Sequence, residues 1–144
     1  MTAFIESAGS GMKGANPTGN ELQERAALRT QELPGAELTH PFGVGWDVYK
    51  VRDRVFMLQT ALSGEAIVIL KAVPADSRSL RETFSDITPG YHMNKKHWIT
   101  LHPGGGLDAA LIDDLVTESY LLVVEKLPKI QRPVNPSTFG QPRT

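Results

Sequence analysis

The run Trp46–Lys71, WDVYKVRDRVFMLQTALSGEAIVILK, decides the fold. It holds three candidate strands, Trp46–Val51, Val55–Thr60 and Ala66–Lys71, rich in the β-branched and aromatic residues that fit a pleated, half-buried surface. Arg52-Asp53-Arg54 links the first two closely enough for an antiparallel hairpin. Arg52 resists the positive φ of a type I′ turn, so the expectation is a wider loop with Asp53 at the tight position. Ala61-Leu62-Ser63-Gly64-Glu65 makes the next reversal. Ala66–Leu70 is almost continuously apolar, which marks the best-buried strand of the sheet.

Upstream of this sheet grammar, Glu37–Thr39 is a further short strand and Asn20–Glu32 a helix. Thr18 or Asn20 offers the cap, Glu21 and Glu24 complement the dipole, and Pro34-Gly35 stops the helix. Its apolar stripe is Leu22, Ala26 and Arg29 with Leu33. Residues 1–19 read as a flexible leader in which Met12 is a second candidate start. Downstream, Pro74 opens a helix at the position where a missing N–H costs nothing, with Leu80 and Phe84 turned to the sheet. His97–Leu101 alternates as a last strand, with Ile99 and Leu101 on one side and Trp98 and Thr100 on the other. After the Pro103–Gly106 turn, Leu107, Leu111, Leu115, Val116, Ser119, Leu122 and Val123 recur at helical spacing behind a capping Asp108. Pro128 ends that helix and residues 129–144 read as a proline-rich tail. Strands in succession with helices before, between and after them predict an α+β domain over residues 20–128, a mainly antiparallel sheet with helices packed on one face.

At 144 residues the chain has a one-domain length. The absence of cysteine removes disulfides, thiolate nucleophiles and zinc-cysteine sites together, and fits a cytoplasmic protein. No apolar run approaches the roughly 18 residues that span a bilayer, which argues against membrane insertion. The net charge of −1 is unevenly spread: −3 over residues 1–49, +3 over 50–107 and −1 over 108–144. The middle of the chain thus permits an anion-facing patch without demanding one.

Within that middle lies DITPGYHMNKKHWITL, Asp86–Leu101, with two histidines, a tryptophan, a Lys-Lys pair and no acid after Asp86 until Asp108. A metal site from His92, His97 and His102 is disfavoured by the spacing of five, which separates the side chains on a strand and on a helix alike. A general base at His92 or His97, oriented by Tyr91 or Asp86, lacks any accompanying nucleophile elbow, phosphate loop or paired carboxylate site. The sequence therefore leans away from an enzyme, and it calls for no metal or other cofactor. The simpler role for Tyr91 and His92 is a hydrogen-bonded clasp on a long loop. Asp113, Asp114 and Glu118 read as solvated helix charge rather than a metal ridge.

ITPGYHMNKKHWITL resembles the PAYHMNK-HW-TV signature of the MmcQ/YjbR family of small bacterial proteins. Leu33-Pro34-Gly35-Ala36-Glu37, Pro41-Phe42-Gly43, Val48-Tyr49-Lys50-Val51, Val55-Phe56, Leu70-Lys71 and Glu118-Ser119-Tyr120-Leu121-Leu122-Val123 follow in the family's order, from about Glu21 to Leu127. Departures are Arg52-Asp53-Arg54 in place of a Gly-Gly-Lys turn, and Gly90 where alanine is frequent. The resemblance implies a YjbR-like fold related in layout to bacterial frataxin (CyaY-like), and it implies DNA binding, the description family members commonly carry. Lys95 and Lys96 would supply charge for phosphates and Asn94 a hydrogen-bonding amide. Tyr91, His92, His97 and Trp98 would supply flat surfaces, with Arg52, Arg54 and Lys71 flanking. The expected function is weak, largely sequence-nonspecific DNA binding through backbone contacts. The alternative is a non-catalytic module for a protein partner or a small anion.

Overall fold

The structure is a computed structural model that describes residues 16–140. Met12 and most of the expected leader, like residues 141–144, lie outside the described residues. The apolar segments form strands β1 (Ala36–Thr39), β2 (Asp47–Val51), β3 (Arg54–Leu62), β4 (Glu65–Lys71), β5 (Ile87–Pro89) and β6 (Trp98–Leu101). They make one antiparallel sheet in the order β1-β2-β3-β4-β6-β5. Ile67, Val68, Ile69 and Leu70 of the central β4 are fully buried, as their unbroken apolar run predicts. β5 lies within what reads in the sequence as loop. It is three residues long and ends in Pro89, and a proline missing its N–H is tolerated on such an edge.

Helices α1 (Asn20–Thr30), α2 (Pro74–Thr83) and α3 (Ala109–Val124) complete the fold. α1 and α3 pack on one face of the sheet, where Leu22, Ala26, Ile112, Val116 and Tyr120 meet Tyr49, Met57, Val68, Leu70, Ile99 and Leu101. Leu80 and Phe84 pack against the same cluster. Asp108 caps α3, its Oδ1 accepting from the Leu111 amide at 2.8 Å. α1 has no side-chain cap: Gly19 holds the position. Thr18 is drawn into a bridge with Gly104, and its amide instead donates to Glu21 Oε1 at 3.2 Å. Arg29 leaves the expected stripe to bond Thr117 Oγ1 at 2.8 Å, and Thr30 is buried in its place.

The hairpin between β2 and β3 is tighter than its residues suggest. Val51 pairs with Arg54, so Arg52 and Asp53 alone make the turn, at φ 50° and 67°. Those are the two left-handed residues of a type I′ turn, whose twist matches that of the flanking strands. Arg52 is held there by donating Nε to the Gln131 carbonyl at 2.9 Å. Ser63-Gly64 repeats the arrangement between β3 and β4. The β2–β3 register also shifts between Tyr49 and Lys50, leaving Phe56 as an extra residue on β3. This bulge turns Phe56 to the helix side, where its ring meets Tyr120 edge-on at 5.6 Å.

The second face of the sheet is also covered, by loops rather than helices. Val48, Leu58, Ile67, Ile69 and Trp98 form a buried cluster under Trp46, Tyr91 and Met93. Residues 129–140 of the proline-rich segment fold back on the domain. Lys129–Gln131 is a short 3₁₀ helix, Arg132 donates to the Leu127 and Glu125 carbonyls at 2.9 Å each, and Phe139 lies 6.1 Å from the Tyr120 ring.

Candidate nucleic-acid interface

Residues 90–97 leave edge strand β5 and return as β6, and a set of local bonds shapes them. The Gly90 amide donates to the Trp98 carbonyl at 2.9 Å. A Cβ at position 90 would stand 2.5 Å from that of Trp98, so the approach needs glycine. Thr100 Oγ1 donates to the Pro89 carbonyl at 3.0 Å and accepts from the Tyr91 amide at 2.9 Å. Asn94 Oδ1 accepts from the Lys96 amide at 2.8 Å, an Asx turn that spends the amide oxygen expected to face a ligand. The Tyr91–His92 clasp is one of ring packing. The two rings lie 4.1 Å apart, His92 meets Trp46 at 6.3 Å, and Trp46 meets the exposed Phe42 at 6.3 Å. His92 adopts φ 61°, a region in which histidine is over-represented among non-glycine residues.

The candidate cations gather at one end of the sheet. Lys71 closes β4 opposite Trp98, and its Nζ lies 6.0 Å from the centre of the Trp98 ring, at the outer limit of a cation–π contact. The Ala72 amide donates to the His97 carbonyl at 2.9 Å, which ties the start of β6 to the same end. Lys95 and Lys96 are exposed, but Lys95 donates Nζ to the Gly90 carbonyl at 3.1 Å and so also braces the loop. Arg54 stands beyond the β2–β3 turn. Trp98, only 9% exposed, supports Lys71 from below and offers little free ring. The ion pairs among the described residues are Arg25–Asp113, Arg29–Glu32, His40–Asp47 and His102–Glu65. None of them engages Lys71, Lys95, Lys96 or Arg54.

Ser119 opens this end of the sheet. The β3–β4 ladder ends at Met57–Leu70, next to the Phe56 bulge of the β2–β3 pairing. The buried Ser119 hydroxyl enters the gap, donating to the Phe56 carbonyl at 2.5 Å and accepting from the Lys71 amide at 2.8 Å. Where the strands stay parted there is a cleft of about 350 Å³ lined by Asp53, Arg54, Val55, Lys71, Val123 and Lys126. Lys126 was invisible as a site residue in the sequence, where a basic side chain at a helix end reads as dipole complement. A larger concavity, about 600 Å³, lies along residues 129–137, but its Arg132 is committed to backbone carbonyls. Next to Ser119, Tyr120 is fully buried, and its hydroxyl donates to the Pro34 carbonyl. Burial pushes that hydroxyl up to about 12, with Arg52 opposing.

The histidines and acids are dispersed. His102 accepts or donates between Thr88 Oγ1 at 2.9 Å and Glu65 Oε1 at 2.8 Å, while His92 sits in the aromatic cover. Asp86 does not orient a histidine ring: its Oδ2 accepts from the Gly106 amide at 2.8 Å and holds the glycine turn. Asp113 pairs with Arg25, and burial with Asp76 and Glu125 nearby pushes the Glu118 carboxyl up. Among the described residues no helix is long and apolar enough to cross a membrane.

One antiparallel sheet with helices on one face and aromatic loops on the other defines a small α+β protein, and the cations at one end of its sheet make no ion pair among the described residues. The chain belongs to the YjbR family, whose model matches residues 31–122. It is 44% identical over 108 residues to the uncharacterized protein YbdF of Escherichia coli O157:H7, covering 75% of this chain and 88% of that one. It is 36% identical over 83 residues to the uncharacterized protein YjbR of Escherichia coli K12, covering 58% and 70%. The crystal structure of Deinococcus radiodurans protein DR2400, a DUF419 domain, superposes with a TM-score of 0.72 at 31% identity, covering 89% of this chain and 96% of the other. A Pseudomonas syringae protein gives 0.60 at 27% identity, covering 69% and 96%.

Proposed function

We propose that the cationic end of the sheet contacts the phosphate backbone of DNA, weakly and without strong sequence preference, in the cytoplasm. The observation that carries this reading is the set of cations Arg54, Lys71, Lys96 and Lys126, drawn from separate elements, with no carboxylate within ion-pair distance among the described residues. Unpaired cations on one surface raise the local potential and contribute counterion release when they meet phosphates. Base readout is not part of the reading: Trp98 is buried, Tyr91 is packed on the second cluster, and Asn94 serves its own loop. The rival class, a protein- or anion-binding module, draws support from the concave cleft beside Arg54.

Fluorescence anisotropy on a labelled duplex between about 20 and 200 mM salt tests the reading. Lys71→Gln with Lys96→Gln removes two phosphate contacts while leaving the Lys95 brace, and should flatten the slope of log affinity against log salt by about 1.8. Wild-type melting behaviour in the variant excludes misfolding. An unchanged slope, or no binding by the parent chain at the lowest salt, overturns the proposal.

A further inference from the structure

The cleft at the parted ends of β3 and β4 has a charge and a shape of its own. Arg54 comes from the start of β3, Lys71 from the end of β4, and Lys126 from just beyond α3. Val55 and Val123 form apolar walls, and Asp53 is the one carboxylate in the lining. Three cations against one carboxylate leave a formal charge of +2. An excess of positive charge in one concavity raises the local potential and favours an anion there. We infer that the cleft binds a phosphate monoester.

The chemistry selects that ligand among anions. A monoester carries about −1.5 to −2 at neutral pH and offers three acceptor oxygens, which complements +2. A backbone phosphodiester brings a single charge and leaves half of the cleft's excess unbalanced. Arg54 presents a planar fork suited to two of the oxygens, and the lysines act as point charges on the remainder. A volume of about 350 Å³ accommodates the phosphate together with a sugar-sized group, within the ordinary range of small-molecule sites. Ser119 is the positioning residue: by bonding Phe56 and Lys71 it keeps the strand ends apart.

The same chemistry has two sources, a free phosphorylated metabolite or the terminal phosphate of a nucleic-acid strand, and only the second rests on the DNA reading. Titrating the labelled full chain with adenosine 5′-monophosphate and with adenosine, at constant ionic strength and followed by amide resonances, tests the site. The monophosphate should give saturable shifts at Arg54, Val55, Lys71 and Lys126, and adenosine should give none there. Lys126→Gln should weaken the monophosphate about tenfold, and Lys129→Gln, outside the cleft, should leave it unchanged. Equal responses to the two compounds, or full affinity in Lys126→Gln, overturn the inference. A 5′-phosphorylated oligonucleotide binding several-fold tighter than its 5′-hydroxyl twin, with the gap closed by Lys126→Gln, assigns the strand end. No such gap, with monophosphate binding intact, assigns the free compound. Duplex binding lost to Lys71→Gln and Lys96→Gln but indifferent to the monophosphate would sustain the DNA reading without the cleft.

Discussion

Removing one hydroxyl, Ser119→Ala, should weaken the whole protein by stranding two backbone groups at the cationic end of the sheet. In the native chain that hydroxyl is buried and bonds the Phe56 carbonyl at 2.5 Å and the Lys71 amide at 2.8 Å, at the point where a bulge breaks the ladder. Alanine leaves both backbone groups without that partner. A stranded buried polar group costs about 1–3 kcal/mol, with the Lys71 amide at the low end because its residue is only partly buried. The sum is about 2–4 kcal/mol. For a domain of this size each kcal/mol lowers the melting temperature by roughly 3–5 °C, so the variant should melt about 6–20 °C lower. Thermal and urea unfolding measure this directly, and Ser137→Ala, exposed in the proline-rich segment, is the control. A loss within about 1 °C would mean that the strand ends satisfy one another without Ser119. The claim that these two backbone groups depend on the Ser119 hydroxyl would then fail.

Asp53→Asn should leave stability nearly unchanged, because asparagine accepts the 67° φ of that turn position, while tightening anion binding by removing the cleft's one negative charge; calorimetric titration with adenosine 5′-monophosphate reads the second effect. Tyr120 has its hydroxyl raised to about 12 by burial, above the value near 10 of an unfolded chain, so its contribution is complete below pH 10 and is lost as pH rises toward 12. Tyr120→Phe should therefore melt lower at pH 7, by the lost bond to Pro34, and show a shallower decline of stability between pH 10 and 12. Glu118, raised by burial, Asp76 and Glu125, favours folding only while protonated, so Glu118→Gln should raise the melting temperature at pH 7 and change nothing at pH 3.

The strands were legible because their apolar residues leave few alternatives: Ile67–Leu70 cannot be solvated, and Ile99 and Leu101 alternate with Trp98 and Thr100 as a two-faced strand must. The Arg52-Asp53 turn was half legible: Asp53 was expected at the tight position, but arginine does not favour positive φ and its anchoring Gln131 carbonyl lies 79 residues away. β5 was hidden by its length and by Pro89, and the loop cover of the second face by its lack of periodicity. In the site, the basic character of Arg54, Lys71, Lys95 and Lys96 was readable. The docking of the α3 end against the β3–β4 opening, which brings in Lys126, depends on tertiary packing that no local pattern encodes. Likewise the Ser-Tyr pair carried a visible signature, while its work, a hydroxyl filling a bulge and a phenol tied to Pro34, appears only in three dimensions.

The central claim is that one end of the sheet is the nucleic-acid surface, and mapping amide shifts on adding a short 5′-hydroxyl duplex at low salt tests it most directly. The account predicts shifts at Arg54, Val55, Lys71, Ala72 and Lys95–Trp98 that fade together as salt rises. Shifts concentrated on α1 and the outer face of α3, or surviving high salt, would contradict it.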